Sequence, residues 1–111
     1  MFNVWDRIGE NEFANTVTAA LAGLFPDDPP LFMVRTPHGY FGPQVISRNL
    51  ADSGFSTAPH FETIAPHSRA ASARVPAVAY CRGTSLRNEI DARSGIGMGI
   101  ATSASATGIA E

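Results

Sequence analysis

The sequence predicts an α/β domain, because short apolar runs of strand character alternate with segments of helical periodicity. The candidate strands are residues 2–5, 31–34 and 55–64, and the two clearest helical segments, 11–25 and 43–53, lie between them. A chain of 111 residues makes about one small domain, and its 44% hydrophobic content is enough for a packed core.

The first helical segment has the most regular pattern in the chain. Its apolar positions fall on one face at helical spacing: Phe13, Val17, Ala20, Leu21 and Leu24. Asn11 is the predicted N-cap, and Pro26 ends the helix near Phe25 because proline lacks an amide proton and restricts the residue before it. The alternating run Phe2–Trp5 before this helix predicts a short strand.

The middle of the chain repeats the alternation of strand and helix. Leu31–Val34 is an apolar run of strand length, and a loop containing two glycines and a proline follows it. Pro43 suits the first position of the next helix, and Gly54 suits the position just past its end. Phe55–Ile64 predicts a strand, which Pro59 weakens and restricts to a sheet edge.

The last third of the chain predicts helices and then a tail. Two further helices are predicted, one from near Ser72 to Gly83 and one after a cap at Thr84 or Ser85. Residues 94–111 are rich in Gly, Ala, Ser and Thr and contain one charged side chain. We therefore expect them to form a flexible or weakly helical tail beyond a main unit at residues 1–93.

Composition disfavours several classes of partner. Net charge is −2, and the eight basic residues are all arginines without a cluster, which argues against nucleic acid and anionic membranes. No apolar run approaches the roughly 20 residues of a membrane span. The lone Cys81 cannot form an internal disulfide, which fits a cytoplasmic protein. The three histidines lack the short spacing of metal ligands, so no metal site is predicted.

Seven separated blocks occur in an order that one enzyme family shares: Val4–Ile8, Asn11–Ala14, Leu24–Pro30, Arg35–Tyr40, Ala51–Phe55, Ser68–Arg74 and Tyr80–Ile90. On these blocks the chain resembles the C-terminal half of class I S-adenosylmethionine-dependent methyltransferases related to ubiquinone and menaquinone methylation. The resemblance implies a partial Rossmann-like fold from the fifth strand onward, with Phe2–Trp5 ending that strand. The family's cofactor-binding loop belongs to earlier strands, which are absent from this sequence. The glycine-rich residues 94–99 follow a predicted helix and do not replace that loop.

Candidate substrate-binding residues fall in two places. Trp5, Asp6 and Arg7 follow the predicted first strand, where open α/β sheets build their ligand crevice. The alternative for them is a buried Trp beside a surface ion pair. His38 and Tyr40 lie in the loop that the resemblance makes a lid, where His is a candidate general base and Tyr a hydrogen-bond donor. The alternative is a solvated or structural role, so no catalytic residue is assigned.

The function expected from the resemblance is transfer of the sulfonium methyl group of S-adenosylmethionine to a small-molecule acceptor. Because the cofactor loop is missing, we expect the chain to be inactive alone and to need a complementing N-terminal half. Two alternatives stay open. The first is a non-catalytic interaction module that forms a homodimer or other oligomer, and the second is a truncated gene product.

The missing cofactor loop generates a direct prediction. Isothermal titration of the 111-residue chain with S-adenosylmethionine should show no saturable heat, because the glycines that bring backbone against the cofactor are not present. Saturable binding in the micromolar range would contradict this expectation.

Overall fold

The computed structural model describes residues 1–93 and 95–111, and every regular element in that part of the chain is a helix. The elements are the 3₁₀-helix Ile8–Glu10, α1 (Glu12–Leu24), α2 (Phe32–Arg35), α3 (Pro43–Asp52), α4 (Arg74–Gly83), α5 (Leu86–Asp91) and α6 (Met98–Ala110). The described residues contain no strand. The predicted α/β class is therefore wrong, and so is the partial Rossmann-like fold beginning at a fifth strand.

The three predicted strands fail for two physical reasons. Leu31–Val34 lies mostly in α2, where the backbone N–H of Arg35 donates to the Leu31 carbonyl at 2.9 Å. Periodicity over four apolar residues cannot distinguish a strand from a helical turn. Residues 2–5 and 55–64 have no regular structure, and no strand in the described part of the chain offers their backbone a ladder partner.

The first predicted helix is confirmed as α1, with Phe25 as its C-cap directly before Pro26. Its buried residues recur at helical spacing: Ala14, Val17, Thr18 and Leu21. Asn11 occupies the N-cap position, but its side chain makes no capping hydrogen bond to the helix. Val17 and Leu21 of the predicted face are thus buried, whereas Phe13, Ala20 and Leu24 are only partly buried and the capping role of the Asn11 side chain was predicted wrongly.

Both predicted ends of α3 are confirmed. Pro43 lies in its first turn, and Gly54 just beyond its end has a φ of +100°, a conformation that strains residues with a Cβ. The N–H of Phe55 donates to the Leu50 carbonyl and that of Gly54 to the Ala51 carbonyl, each at 3.1 Å. These two bonds form a Schellman motif, which stops the helix and turns the chain into the irregular segment that follows.

The helices after the irregular segment also match their predictions in type and position. Helix α4 covers Arg74–Gly83, starting two residues after the predicted Ser72. Helix α5 follows a Ser85 cap, and the Thr84 hydroxyl accepts a hydrogen bond from the Leu86 N–H at 3.1 Å. Of the two candidate caps, Thr84 thus supplies the side-chain hydrogen bond, while Ser85 occupies the N-cap position without one.

Helix α6 is the element on which the bundle closes, since it packs against both α1 and α4. The sequence predicted a flexible or weakly helical tail here, yet Met98–Ala110 form a 13-residue helix with buried Ala101, Thr102 and Ser105. Gly108 lies against α1, where an added Cβ would come within 3.3 Å of Thr16 Cγ2. Small side chains therefore allow the close approach of α6 to α1.

Buried hydroxyls in α6 find partners within their own helix. Thr102 Oγ1 donates to the Met98 carbonyl at 2.7 Å, and Ser105 Oγ donates to the Ala101 carbonyl at 2.9 Å. Because each hydroxyl bonds a carbonyl four residues earlier, burial leaves neither without a partner. A polar composition is thereby compatible with a core position.

One hydrophobic core joins α1, α2, α4, α5 and α6. Its buried members are Ala14, Val17, Leu21, Phe25, Met33, Cys81, Leu86, Ile90 and Ala101. Among the described residues, no helix has both the length and the apolar content that crossing a membrane requires.

Cys81 sits at the contact of α4 with α6 and is completely buried. Its Sγ lies 3.4 Å from Ser105 Oγ, and Ser105 already donates its proton to the Ala101 carbonyl, so the thiol is the donor. Burial raises the pKa of the Cys81 thiol above its ordinary value, while the hydroxyls of Ser105 and Thr102 and the charge of Arg82 offset part of the rise.

The raised pKa predicts a loss of stability at alkaline pH. Above the ordinary thiol pKa of about 8.5, the unfolded chain releases the Cys81 proton while the folded chain keeps it. The free energy of unfolding then falls as pH rises, by at most about 1.4 kcal/mol per pH unit, and the contribution is fully present below that pKa. Urea unfolding between about pH 8 and pH 10 measures the decline, which Cys81→Ala should reduce. An equal decline in the variant would contradict the assignment.

Candidate functional site

His38 lies just after α2 and is buried. Two hydrogen bonds hold it, one from its backbone and one from its ring. Its exposed fraction is 4%, and its backbone N–H donates to the Met33 carbonyl at 2.9 Å. Its ring Nδ1 lies 2.8 Å from the Asp6 carbonyl oxygen. Because a carbonyl only accepts, Nδ1 carries the proton and donates it. In the neutral ring, Nε2 is therefore left as a hydrogen-bond acceptor.

Trp5 lies beside His38 across 33 positions of sequence. The two ring centroids are 6.0 Å apart and the ring planes are inclined at 52°. Trp5 keeps 64% of its surface exposed, so the indole packs against the imidazole with one part and faces solvent with the rest. The exposed part of the indole ring offers contact area to a ligand.

The segment that carries Trp5 is fixed by backbone and amide groups. Asn11 Nδ2 donates to the carbonyls of Asp6 and Arg7, at 3.3 and 3.0 Å. The Asp6 carbonyl thus receives both Asn11 and His38, while the Asp6 carboxylate accepts the N–H of Arg7 at 2.8 Å. Asp6 accordingly contributes to the site through its backbone oxygen, and its carboxylate serves the local turn.

A cleft of about 290 Å³ opens next to Trp5 and His38. Its apolar and aromatic lining comes from Trp5, Phe13, Met33, Pro37 and Tyr80, and its polar lining comes from Asn11, Glu12, His38, Ser68 and Thr84. Glu12 supplies the one carboxylate in this lining, and no arginine belongs to it. The cleft therefore combines three aromatic side chains, an imidazole and a single negative charge.

The fold defines the hydrogen bonding of one group in the lining, the Thr84 hydroxyl, and the protonation of another, the Tyr80 phenol. The Thr84 hydroxyl donates to the Tyr80 carbonyl at 2.6 Å and accepts from Leu86, so its bonding is used within the fold. Burial raises the pKa of Tyr80 above its ordinary value, so its phenol stays protonated well past neutral pH. A phenol in this state can both donate and accept a hydrogen bond.

Two arginines fix the chain that leads to His38. Arg93 Nε donates to the Asp28 carbonyl and Arg93 Nη1 to the Glu89 carbonyl, both at 2.6 Å, which ties the connection before α2 to α5. Arg35 at the end of α2 forms an ion pair with Glu89 at 2.6 Å. Both the connection before α2 and the last residue of α2 are thus tied to α5. The second of these ties lies three residues before His38.

The structure brings together some of the predicted site residues and places others apart. Trp5 and His38 both line the cleft, and the Asp6 carbonyl, which is not part of the lining, bonds the His38 ring. Arg7 pairs instead with Glu10 at 3.1 Å, and both side chains are exposed. The Tyr40 hydroxyl accepts a hydrogen bond from Asn49 Nδ2, in the C-terminal half of α3, at 2.8 Å. Neither Arg7 nor Tyr40 lines the cleft.

Several lining residues were not predicted from the sequence. Glu12 and Phe13 open α1 only seven and eight positions after Trp5, so their proximity was a usable signal. Tyr80 entered the sequence analysis only as the first residue of the block Tyr80–Ile90. Ser68 lies in an exposed irregular stretch, and nothing in its sequence context indicates that this stretch reaches the cleft.

Residues 1–93 and 95–111 contain no candidate metal site, because no three His, Cys, Asp or Glu side chains there come together. Comparison of the chain with protein-family models, curated proteins and solved structures found no match. The methyltransferase resemblance therefore stays a prediction, and function is inferred from the geometry of the cleft.

The turn at Gly39 generates a test of how His38 is positioned. A Cβ on Gly39 would overlap the carbonyl oxygen of Arg35, so Gly39→Ala must open the turn. We expect a loss of about 1–3 kcal/mol in the free energy of unfolding, as for other overpacked sites. We also expect a changed fluorescence of Trp5, the only tryptophan in the chain.

The matched control is Gly42→Ala, three residues later. A Cβ at Gly42 meets only Val45 Cγ2, at 3.7 Å, which is an ordinary contact. This change should cost less than about 1 kcal/mol and leave the Trp5 spectrum unaltered. Equal losses of stability in the two variants would show that the Gly39 turn does not constrain the site.

Proposed function

We propose that the chain is a binding module whose cleft takes a small molecule with an aromatic or other apolar body and a neutral or positive charge. The observation that carries this proposal is the lining of the cleft, in which Trp5, Phe13 and Tyr80 accompany one carboxylate and no arginine. Concave sites with apolar walls and a few placed polar groups are the usual small-molecule sites of proteins.

The polar groups of the cleft favour a particular orientation of the ligand. His38 Nε2 offers an acceptor because Nδ1 donates to the Asp6 carbonyl. A hydroxyl or amine hydrogen on the ligand satisfies that acceptor. Glu12 gives the same site a negative charge, which attracts cations and repels carboxylates. Aromatic faces add attraction for a cation by the cation–π effect.

The size of the cleft restricts the ligand to one ring or its equivalent. About 290 Å³ lies just below the range of roughly 300–1,000 Å³ for small-molecule sites. A compact aromatic alcohol or amine suits such a volume better than an extended molecule.

Methyl transfer to a bound small molecule remains the prediction of the sequence resemblance. What supports an acceptor-binding role is that Trp5 and His38, two of the five candidate substrate-binding residues, line the cleft. The S-adenosylmethionine partner of such a reaction rests on the resemblance alone. For the compartment, we propose the cytosol, because the single cysteine is free and buried.

Three ring compounds of matched size test the proposed ligand class: benzyl alcohol, benzylamine and benzoate. Fluorescence of Trp5 reports binding directly, since no other tryptophan contributes. We expect saturable changes with the alcohol and the amine. Benzoate should bind about fivefold more weakly or worse, which corresponds to about 1 kcal/mol of charge interaction.

Glu12→Gln should remove the preference for benzylamine over benzoate, while the exposed Asp91→Asn should retain it. Asp91 is the control because the same change in net charge occurs outside both the cleft lining and the segment that carries Ser68. A preference for benzoate in the native chain, or no saturable response to any of the three compounds, would overturn the proposal.

A further inference from the structure

Residues 41–73, which we term the arm, have little contact with the helical core. Helix α3 lies within the arm and makes no extensive contact with another helix, and the rest of the arm has no regular structure. Ile46 is its only buried residue, and every residue from 60 to 72 is exposed. The arm therefore accounts for much of the elongated shape, 51 × 30 × 19 Å.

The exposed surface of the arm is strongly apolar. Five of its large hydrophobic side chains are at least two-fifths exposed: Phe41, Val45, Phe55, Phe61 and Ile64. Ile64 alone keeps 83% of its surface in solvent. Three of these five side chains, Phe55, Phe61 and Ile64, lie within ten residues of the irregular segment, where no helix of the core covers them.

The area of the chain exceeds that of a folded monomer of the same mass. It exposes 7644 Å² at 11.7 kDa, where a typical monomer exposes about 5,900 Å². The excess is about 1,700 Å², and a standard interface buries about 800 Å² of each partner. The excess belongs to the whole chain, and the arm, in which every residue from 60 to 72 is exposed, contributes to it. Burial of about half of the excess would match what each copy buries in a stable dimer.

The charges of the arm permit contact between two copies. Arg48 and Arg69 are balanced by Asp52 and Glu62, so the arm has no net charge when its histidines are neutral. A two-fold interface places the same patch on both sides, and a neutral patch meets its copy without net repulsion. Phe, Val and Ile side chains supply the apolar centre of such an interface.

We infer that two copies of this chain associate through their arms as a two-fold symmetric dimer. The inference is independent of the ligand proposed for the cleft, since it depends on the area, apolar surface and charge of residues 41–73. Burial of Phe55, Phe61 and Ile64 between the copies removes the largest apolar side chains of the irregular segment from water.

Sedimentation velocity of the full chain, from micromolar to millimolar concentration, tests the inference. We expect a species of twice the 11.7 kDa monomer mass, in reversible equilibrium with the monomer. A mass that stays monomeric over the whole range would overturn the inference. Open-ended growth beyond the dimer would also overturn it, because a two-fold contact closes on itself.

Variants then locate the contact. Phe55→Glu and Ile64→Glu each place two like charges near the symmetry axis and should raise the dimer dissociation constant at least tenfold. Ile100→Glu on α6 is the matched control, since Ile100 is also an exposed isoleucine but lies outside the arm. It should leave dimerisation unchanged. Far-UV circular dichroism confirms equal helix content, and a dimer weakened only by Ile100→Glu would contradict the arm as interface.

Discussion

The structure depends on the close packing of α6 between α1 and α4. This packing requires small side chains, since Gly108 lies against Thr16 and Ala20 of α1 at a distance that leaves little room for a Cβ. It also requires that buried hydroxyls be satisfied, which Thr102 and Ser105 achieve through carbonyls of their own helix. Helix α6 therefore contributes contact area and close fit, where a typical amphipathic helix contributes a stripe of large apolar residues.

The cleft is a consequence of how this core holds the short elements around it. Arg93 joins the connection before α2 to α5, Arg35 joins the end of α2 to Glu89, and the turn at Gly39 then sets His38 against the Asp6 carbonyl. Each of these links joins residues more than 30 positions apart in sequence. Apart from Ser68, the cleft lining is thus placed by contacts within the N-terminal segment, α1, α2 and α4 that do not depend on a ligand, which reduces the ordering cost of binding.

The sequence predicted helices far better than strands, and the reason is physical. Helical periodicity and caps are local, so α1, α3 and α5 follow from Pro26, Pro43, Gly54 and Thr84. A strand exists only with a partner, and the predicted strand at 55–64 has none in the described residues. Helix α6 was predicted only as a flexible or weakly helical tail, because its small residues show no apolar stripe. At the site, Trp5 and His38 were predicted, whereas the pairing of Nδ1 with a backbone carbonyl depends on tertiary structure.

The arm and the cleft share one stretch of chain, because Ser68 near the end of the arm lines the cleft. Residues 60–72 make few contacts that fix them, so the position of this wall depends on what holds the arm. Association of two arms orders that stretch in both copies and thereby removes part of the entropic cost of forming the cleft wall. Linkage is reciprocal, so a ligand that contacts Ser68 stabilises the associated arm by the same free energy. The irregular segment 55–73 thus belongs to both proposed binding surfaces, the arm and the cleft.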